Sequence, residues 1–342
     1  MDKLIIVNWL LTRRCNLSCS YCGIVREPHN KNYPSMDYYT INEMSTKYVL
    51  EILERIHKHN PFCFHIFYGG EPLLREDLPE IINFCNDKKI YYTIITNNSD
   101  EVQPALERLF EKTEYVDGLT SSVDPVIFSG EKETDRYKKS LNGLNRLIAL
   151  KDKVKDLVAE ITIDNKNIES IEPLVKVLDE NGITSSITFV DISKNDHYDF
   201  SNVTNEKMMV YPSDKVWNIL KSLIDKNYDV HMSQELLKNI YDILPSNLDC
   251  KLLDSFHNLT IDADGKIRLC LRVKGYSSIY PNAKVINFID KNGEVNWEEL
   301  KNMLRIDKIF ACKGCNWTCQ IMSKMILDSD SKDTLLHLNK RS

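Results

Sequence analysis

Six short apolar runs alternate with segments of helical period between the N-terminus and Ile192, and this alternation limits the possible folds more than any other feature. Strands are predicted from Met1 to Val7, Phe62 to Tyr68, Tyr91 to Thr96, Val116 to Val123, Leu157 to Ile163 and Ser185 to Ile192. Between them, Met44, Tyr48, Ile52, Leu53 and Ile56 recur at a helical spacing within Ile41 to His59. Helices are also predicted over Leu78 to Asn86, around Leu106, Leu109 and Phe110, from Tyr137 to Ile148, and from Ile168 to Leu178, the last closed by Asn181-Gly182. Each strand–helix–strand crossover lays a helix on the outside of a parallel sheet. The fold class is therefore α/β, a partial (β/α)6 TIM-type barrel, with a doubly wound open sheet as the alternative. In a barrel the chemistry gathers at the C-terminal ends of the strands, so motifs there carry the functional argument.

The first strand runs into Cys15-Asn16-Leu17-Ser18-Cys19-Ser20-Tyr21-Cys22. Gaps of three and then two residues let one loop turn three thiolates to a common point, holding an iron–sulfur cluster whose fourth iron has no protein ligand. A zinc site is the competing interpretation, but structural zinc takes four ligands, and the nearest spare one, His29, follows Pro28. The second strand ends in Gly69-Gly70-Glu71-Pro72, where glycines let backbone approach closely and proline stiffens the exit.

These two motifs, in this order, resemble the radical SAM enzymes. The cysteine run matches CxxxCxΦC with Tyr21 as the aromatic residue, and Thr12, Asn16 and Leu17 are similar to that family's flanks. The resemblance implies a [4Fe–4S] cluster on Cys15, Cys19 and Cys22, with S-adenosylmethionine (SAM) chelated at the open iron and Tyr21 against its adenine. Gly69, Gly70 and Glu71 match the motif whose backbone meets the methionine amino group. Reductive cleavage of SAM would yield a 5′-deoxyadenosyl radical that takes a hydrogen atom from the substrate. On the same footing Ser122 and Asp164, at the ends of the fourth and fifth strands, would meet SAM's carboxylate or ribose. Small polar residues there also cap turns. No proton-transfer residue emerges from the sequence; Asp124 and Asp191 are candidates. His65 is expected as a core histidine, and Cys63 and Cys85 as buried thiols.

The βα rhythm stops after residue 200. Val216 to Ile224 and Leu236 to Leu244 look helical and would form a bridge over 201–248. Beyond them come Cys250, Cys270, Cys312, Cys315 and Cys319, half of the ten cysteines in the chain. Between the first two, Asp264-Gly265 predicts a hairpin with a type I′ turn, which would set Cys270 opposite Leu259. The pattern resembles a SPASM domain or the shorter twitch domain, implying an auxiliary [4Fe–4S] cluster in a small hairpin and helical domain over 249–325, ahead of a tail over 326–342. Cys312 with Cys315 is the preferred completion of the site, Cys319 the other register, and zinc the competing metal.

A net charge of −6 offers no broad field for nucleic acid. The apolar N-terminal run is interrupted too early, by Arg13 and Arg14, to serve as a signal peptide or membrane span. A cytoplasmic protein without membrane association is expected, drawing electrons from a donor such as flavodoxin or ferredoxin. A fully ligated auxiliary cluster could accept an electron and make the net reaction an oxidation or crosslink. The expected substrate is a ribosomally made peptide. The alternatives are a carbohydrate, aminoglycoside or nucleoside in natural-product biosynthesis, or a non-catalytic iron–sulfur or zinc scaffold.

Overall fold

The computed structural model describes residues 6–19, 22, 24, 35–125, 135–189, 213–232, 237, 258–268 and 284–303. Six parallel strands lie in sequence order: β1 (Ile6–Thr12), β2 (Phe64–Gly69), β3 (Tyr91–Thr96), β4 (Val116–Ser122), β5 (Val154–Ile163) and β6 (Thr184–Phe189). A doubly wound sheet would reverse order part-way, and this sheet does not. Its stepwise order is that of a partial barrel.

Helices α1 (Met36–Asn42), α2 (Thr46–His59), α3 (Leu78–Lys88), α4 (Gln103–Lys112), α5 (Asp135–Ala149) and α6 (Ile171–Glu180) connect the strands, followed by α7 (Asp214–Asp225) and α8 (Trp297–Met303). The helix expected over Ile41 to His59 is two helices. Glu43 leaves helical geometry, and the Ser45 side chain caps α2 by accepting from the Tyr48 amide, a start signal that the apolar period concealed. Val49, Ile52, Leu53 and Ile56 of α2 are fully buried against the sheet, each stabilising the fold by about 1.5–3 kcal/mol. Gly182, with φ +66°, ends α6 as expected.

Two corrections concern the C-terminal hairpin, β7 (Asn258–Ile261) and β8 (Ile267–Arg268). It joins the barrel sheet, with β7 parallel to β1. Its loop is also one residue longer than the type I′ turn expected. Ile261 pairs with Ile267, and Asp262 N donates to Lys266 O, leaving Ala263, Asp264 and Gly265 as a three-residue loop with Gly265 at φ +79°. In this register Leu259 aligns with position 269 and not with Cys270; a shift of one residue reverses which face a side chain takes. Cys270 itself lies outside the described residues, as do Tyr21, Asp191, Cys250, Cys312, Cys315, Cys319 and all but one residue of the helix expected over Leu236 to Leu244.

The sheet has two unlike faces. Trp9, Phe67, Tyr92, Ile94, Leu119, Ala159 and Ile161 pack with the helices in the main core. His65 lies there too, fully buried, its Nδ1 accepting from Trp9 Nε1 at 2.9 Å; burial pushes its pKa down to about 3. Cys63 and Cys85 are buried thiols, as expected, and burial pushes both upward. The alternate residues form the inner face, which carries Asn8, Tyr68, Thr93, Thr120, Ser122, Glu160, Thr162, Ser186 and Thr188. Leu10, Ile66, Ile95 and Val158 share this face, so its polar residues are interspersed with apolar ones and reach the C-terminal ends of β4, β5 and β6, unlike a sheet buried on both sides, which is apolar on both. Among the described residues, no helix is long and apolar enough to cross a membrane.

Candidate active site at the C-terminal ends of the strands

The cysteine loop leaves β1 at Thr12, and its base is held from several directions. Gly70 N donates to Thr12 O and Glu71 N to Arg14 O, each at 2.8 Å. Gly69 has φ +144°; a Cβ on it would stand 2.2 Å from Thr12 O, and one on Gly70 would stand 2.0 Å from Arg14 O. The close approach for which these glycines are required is therefore to the cysteine loop itself. The Gly70 and Glu71 amides are engaged there, and a ligand's ammonium group, a donor only, would be met by carbonyl oxygens.

Glu71 is buried, and its carboxylate accepts from Leu73 N at 3.1 Å and from Asn97 N at 2.8 Å. Burial raises its pKa against the opposing pull of those hydrogen bonds. Glu71 thus ties the end of β2 to the end of β3. Thr12 Oγ1 donates to Glu43 at 2.6 Å, and Arg14 forms an ion pair with the same carboxylate at 3.0 Å. Beneath them Arg13 and Asp262 form a fully buried pair, with Nε to Oδ1 at 2.8 Å and Nη2 to Oδ2 at 2.7 Å, and the Tyr39 ring lies 4.2 Å from the guanidinium. This pair joins the N-terminal loop to a hairpin that is remote in sequence.

Cys15, Cys19 and Cys22 are half-buried thiols on this loop, none of them in a disulfide. Cys22 N donates to Cys19 O at 3.1 Å, closing a turn between two of them. Burial raises the Cys15 pKa most, with neighbouring Glu71, Cys22 and Cys19 adding to the rise and the Leu17 amide opposing it. Asn97 reaches the loop from β3, its Nδ2 lying 3.9 Å from Cys15 Sγ and 2.9 Å from Asn16 Oδ1. Nothing in the chain signals this contact beyond a polar residue at a strand end. Among the described residues, no three His, Cys, Asp or Glu side chains already stand at metal-holding distance. In kind and place the three thiols fit a cluster, which would draw them together on binding and, by its positive charge, favour the thiolates that burial opposes.

The other predicted residues divide. Ser122 is exposed at the last position of β4 on the inner face, in register with Glu160. Asp164 is buried after β5, and its Oδ1 accepts from Lys166 N at 2.8 Å and Asn167 N at 2.9 Å, the turn-capping role. Asp124 is half-buried two residues beyond β4.

The sequence missed Glu160. It is half-buried on the inner face of β5, hydrogen-bonded by the side chains of Ser186 and Thr188, yet burial still raises its pKa from 4.5 to about 7. Its place in an otherwise ordinary strand hid it; only alternation across β5 could have pointed inward. Because the folded carboxyl holds its proton above the unfolded value, stability should fall as pH rises from about 4.5 to about 7, by about 2–3 kcal/mol. Glu160→Gln should remove most of that fall, as measured by anaerobic urea midpoints at pH 5 and pH 8.

Residues 9–178 match the profile of the radical SAM superfamily, and the chain belongs to that superfamily of enzymes. Membership implies a [4Fe–4S] cluster and SAM. Over 187 residues the chain is 28% identical to Fe-coproporphyrin III synthase of Methanosarcina barkeri, covering 53% of this chain and 43% of that protein. Over 194 residues it is 24% identical to the mycofactocin maturase MftC of Mycobacterium tuberculosis, covering 55% and 45%. The chain thus spans less than half the length of either relative. In fold it resembles SuiB of Streptococcus suis bound to S-adenosylmethionine, with TM-score 0.51 and 16% identity over 79% of this chain and 60% of SuiB. A further SuiB structure holds the precursor peptide SuiA, with TM-score 0.50.

Proposed function

We propose that this chain modifies a ribosomally made peptide by radical SAM chemistry, with a second, auxiliary [4Fe–4S] cluster assisting an oxidation or crosslink. The observation that carries the proposal is the cysteine loop at the C-terminal end of β1, clamped by Gly70 and Glu71 at the end of β2. Cys15, Cys19 and Cys22 would hold the first cluster, and Tyr21, Gly69, Gly70, Glu71, Ser122 and Asp164 are assigned to SAM. Together the bound cofactors supply a carbon radical strong enough to take an unactivated hydrogen atom. The chain holds the thiols in place through Arg13, Glu43, Glu71 and Asn97, and its inner face gives the substrate a polar wall. The peptide assignment draws on MftC, named a maturase, and on SuiB, seen with its precursor peptide. Four of Cys250, Cys270, Cys312, Cys315 and Cys319 would hold the auxiliary cluster, with Asp124 or Asp191 moving a proton and a flavodoxin or ferredoxin donating electrons in the cytoplasm. The boundaries near residues 200, 248 and 325 belong to the same proposal.

Anaerobically reconstituted protein given dithionite and SAM should release 5′-deoxyadenosine, and Cys22→Ala should reduce that release at least about a thousandfold, a loss of about 4 kcal/mol of transition-state stabilisation. Wild type that carries its cluster by iron analysis and yet makes none refutes the catalytic assignment. About eight irons per chain are expected for two clusters, and about four irons with one zinc would refute the auxiliary cluster.

A further inference from the structure

We propose that Glu160, with the hydroxyls of Ser186 and Thr188 beside it, anchors a protonated primary amine of the substrate. The inference rests on the radical SAM assignment of this barrel face and deepens it by naming the group the substrate presents.

The row is defined by sheet register. Ser122, the last residue of β4, pairs with Glu160 of β5, and Glu160 pairs with Ser186 of β6; Thr162 and Thr188 form the next pair toward the rim. All five side chains take the inner face, at the end of the sheet where the cysteine loop begins. Among the described residues, the partners of the Glu160 carboxyl are the neutral hydroxyls of Ser186 and Thr188, and no cation pairs with it. The other ionisable group that β4, β5 and β6 place on this face is Asp156, paired with Gly118 nearer the opposite end and also an acid; Asp124 follows beyond β4.

A half-buried carboxyl with only neutral partners holds its proton toward pH 7, because nothing nearby compensates the charge. An ammonium group is the complement it lacks. It carries three N–H donors and no acceptor, and the wall offers a carboxylate with the Ser186 and Thr188 hydroxyl oxygens beside it. With no cation from these strands, the same wall disfavours phosphate and carboxylate groups. The amine could be a lysine side chain of a peptide or the amine of an aminosugar, since the chemistry is shared.

The test is calorimetric titration of the anaerobic, SAM-loaded holoenzyme with two probe pairs: a lysine-containing pentapeptide against its Nε-acetyl-lysine form, and glucosamine against N-acetylglucosamine. At pH 8, one free amine should bind at least about tenfold more tightly than its acetylated counterpart, and the pair that shows this identifies the source. Below pH 7 the preference should shrink by about tenfold per pH unit, as protonation neutralises the carboxylate. Glu160→Gln should abolish the preference, whereas Glu160→Asp should restore part of it. Equal binding of free and acetylated probes, no binding of either amine, or a preference that survives in Glu160→Gln overturns the proposal. Release of 5′-deoxyadenosine by wild type is measured on the same preparation. Release without an amine preference refutes the anchor alone, and an amine preference without release refutes the radical assignment alone.

Discussion

Asp262→Ala should lower the unfolding free energy by about 3–5 kcal/mol, because it removes the buried carboxylate that forms a bidentate pair with the Arg13 cation in the interior. Both side chains are fully buried, with bidentate contacts at 2.8 and 2.7 Å. Asp262 Oδ1 also accepts from Ala263 N at 2.7 Å, so the hairpin turn loosens with the pair. Since Arg13 precedes Cys15 by two residues, the disturbance should reach the cluster loop: iron per chain should fall in Asp262→Ala, and the reduced-cluster EPR signal should weaken. Replacing both partners, as in Arg13→Met with Asp262→Leu, should recover much of the stability, because no lone charge remains. A urea midpoint for Asp262→Ala implying less than about 1 kcal/mol of loss would contradict the account.

Gly70→Ala should be nearly as damaging, by a different route. The new Cβ would stand 2.0 Å from Arg14 O and 2.8 Å from Arg13 O, and both obstacles are backbone, which cannot swing aside. Separating the strands would also break the two 2.8 Å bonds from Gly70 N and Glu71 N to the loop, each contributing about 1 kcal/mol. A total loss of about 3 kcal/mol or more follows, together with loss of iron from the N-terminal site. Gly143→Ala is the matched comparison. Within α5 the nearest atom to its added Cβ is Arg146 Nη2 at 3.9 Å, so this change should be neutral or stabilising by up to about 1 kcal/mol. Thermal midpoints and iron content of the two variants decide the matter; equal behaviour would show that the close contact at Gly70 is not what requires glycine there.

Strand and helix positions were legible in the sequence because period and burial are local properties. Tyr91 to Thr96 is a strand as predicted, and four of the other five agree to within about three residues over the described range, whereas the first runs five residues past its predicted end, to Thr12. The break between α1 and α2 was hidden because Met44 continues the apolar period on which the Ser45 cap is superimposed. In the hairpin, Asp264-Gly265 announced the turn but not its length, since Gly265 in the left-handed region serves both a two-residue turn and the observed three-residue loop.

At the site, the thiols and glycines are readable from the chain alone, because their spacing is a property of one short segment. What those glycines touch, that Glu71 and Asn97 brace the cysteine loop, that Arg13 pairs with Asp262 from 249 residues away, and that Glu160 takes the inner face of β5 emerge only from the packed fold. Contacts between distant segments, and the desolvation that raises a carboxyl, depend on what surrounds a side chain in space, which its neighbours in the chain do not specify.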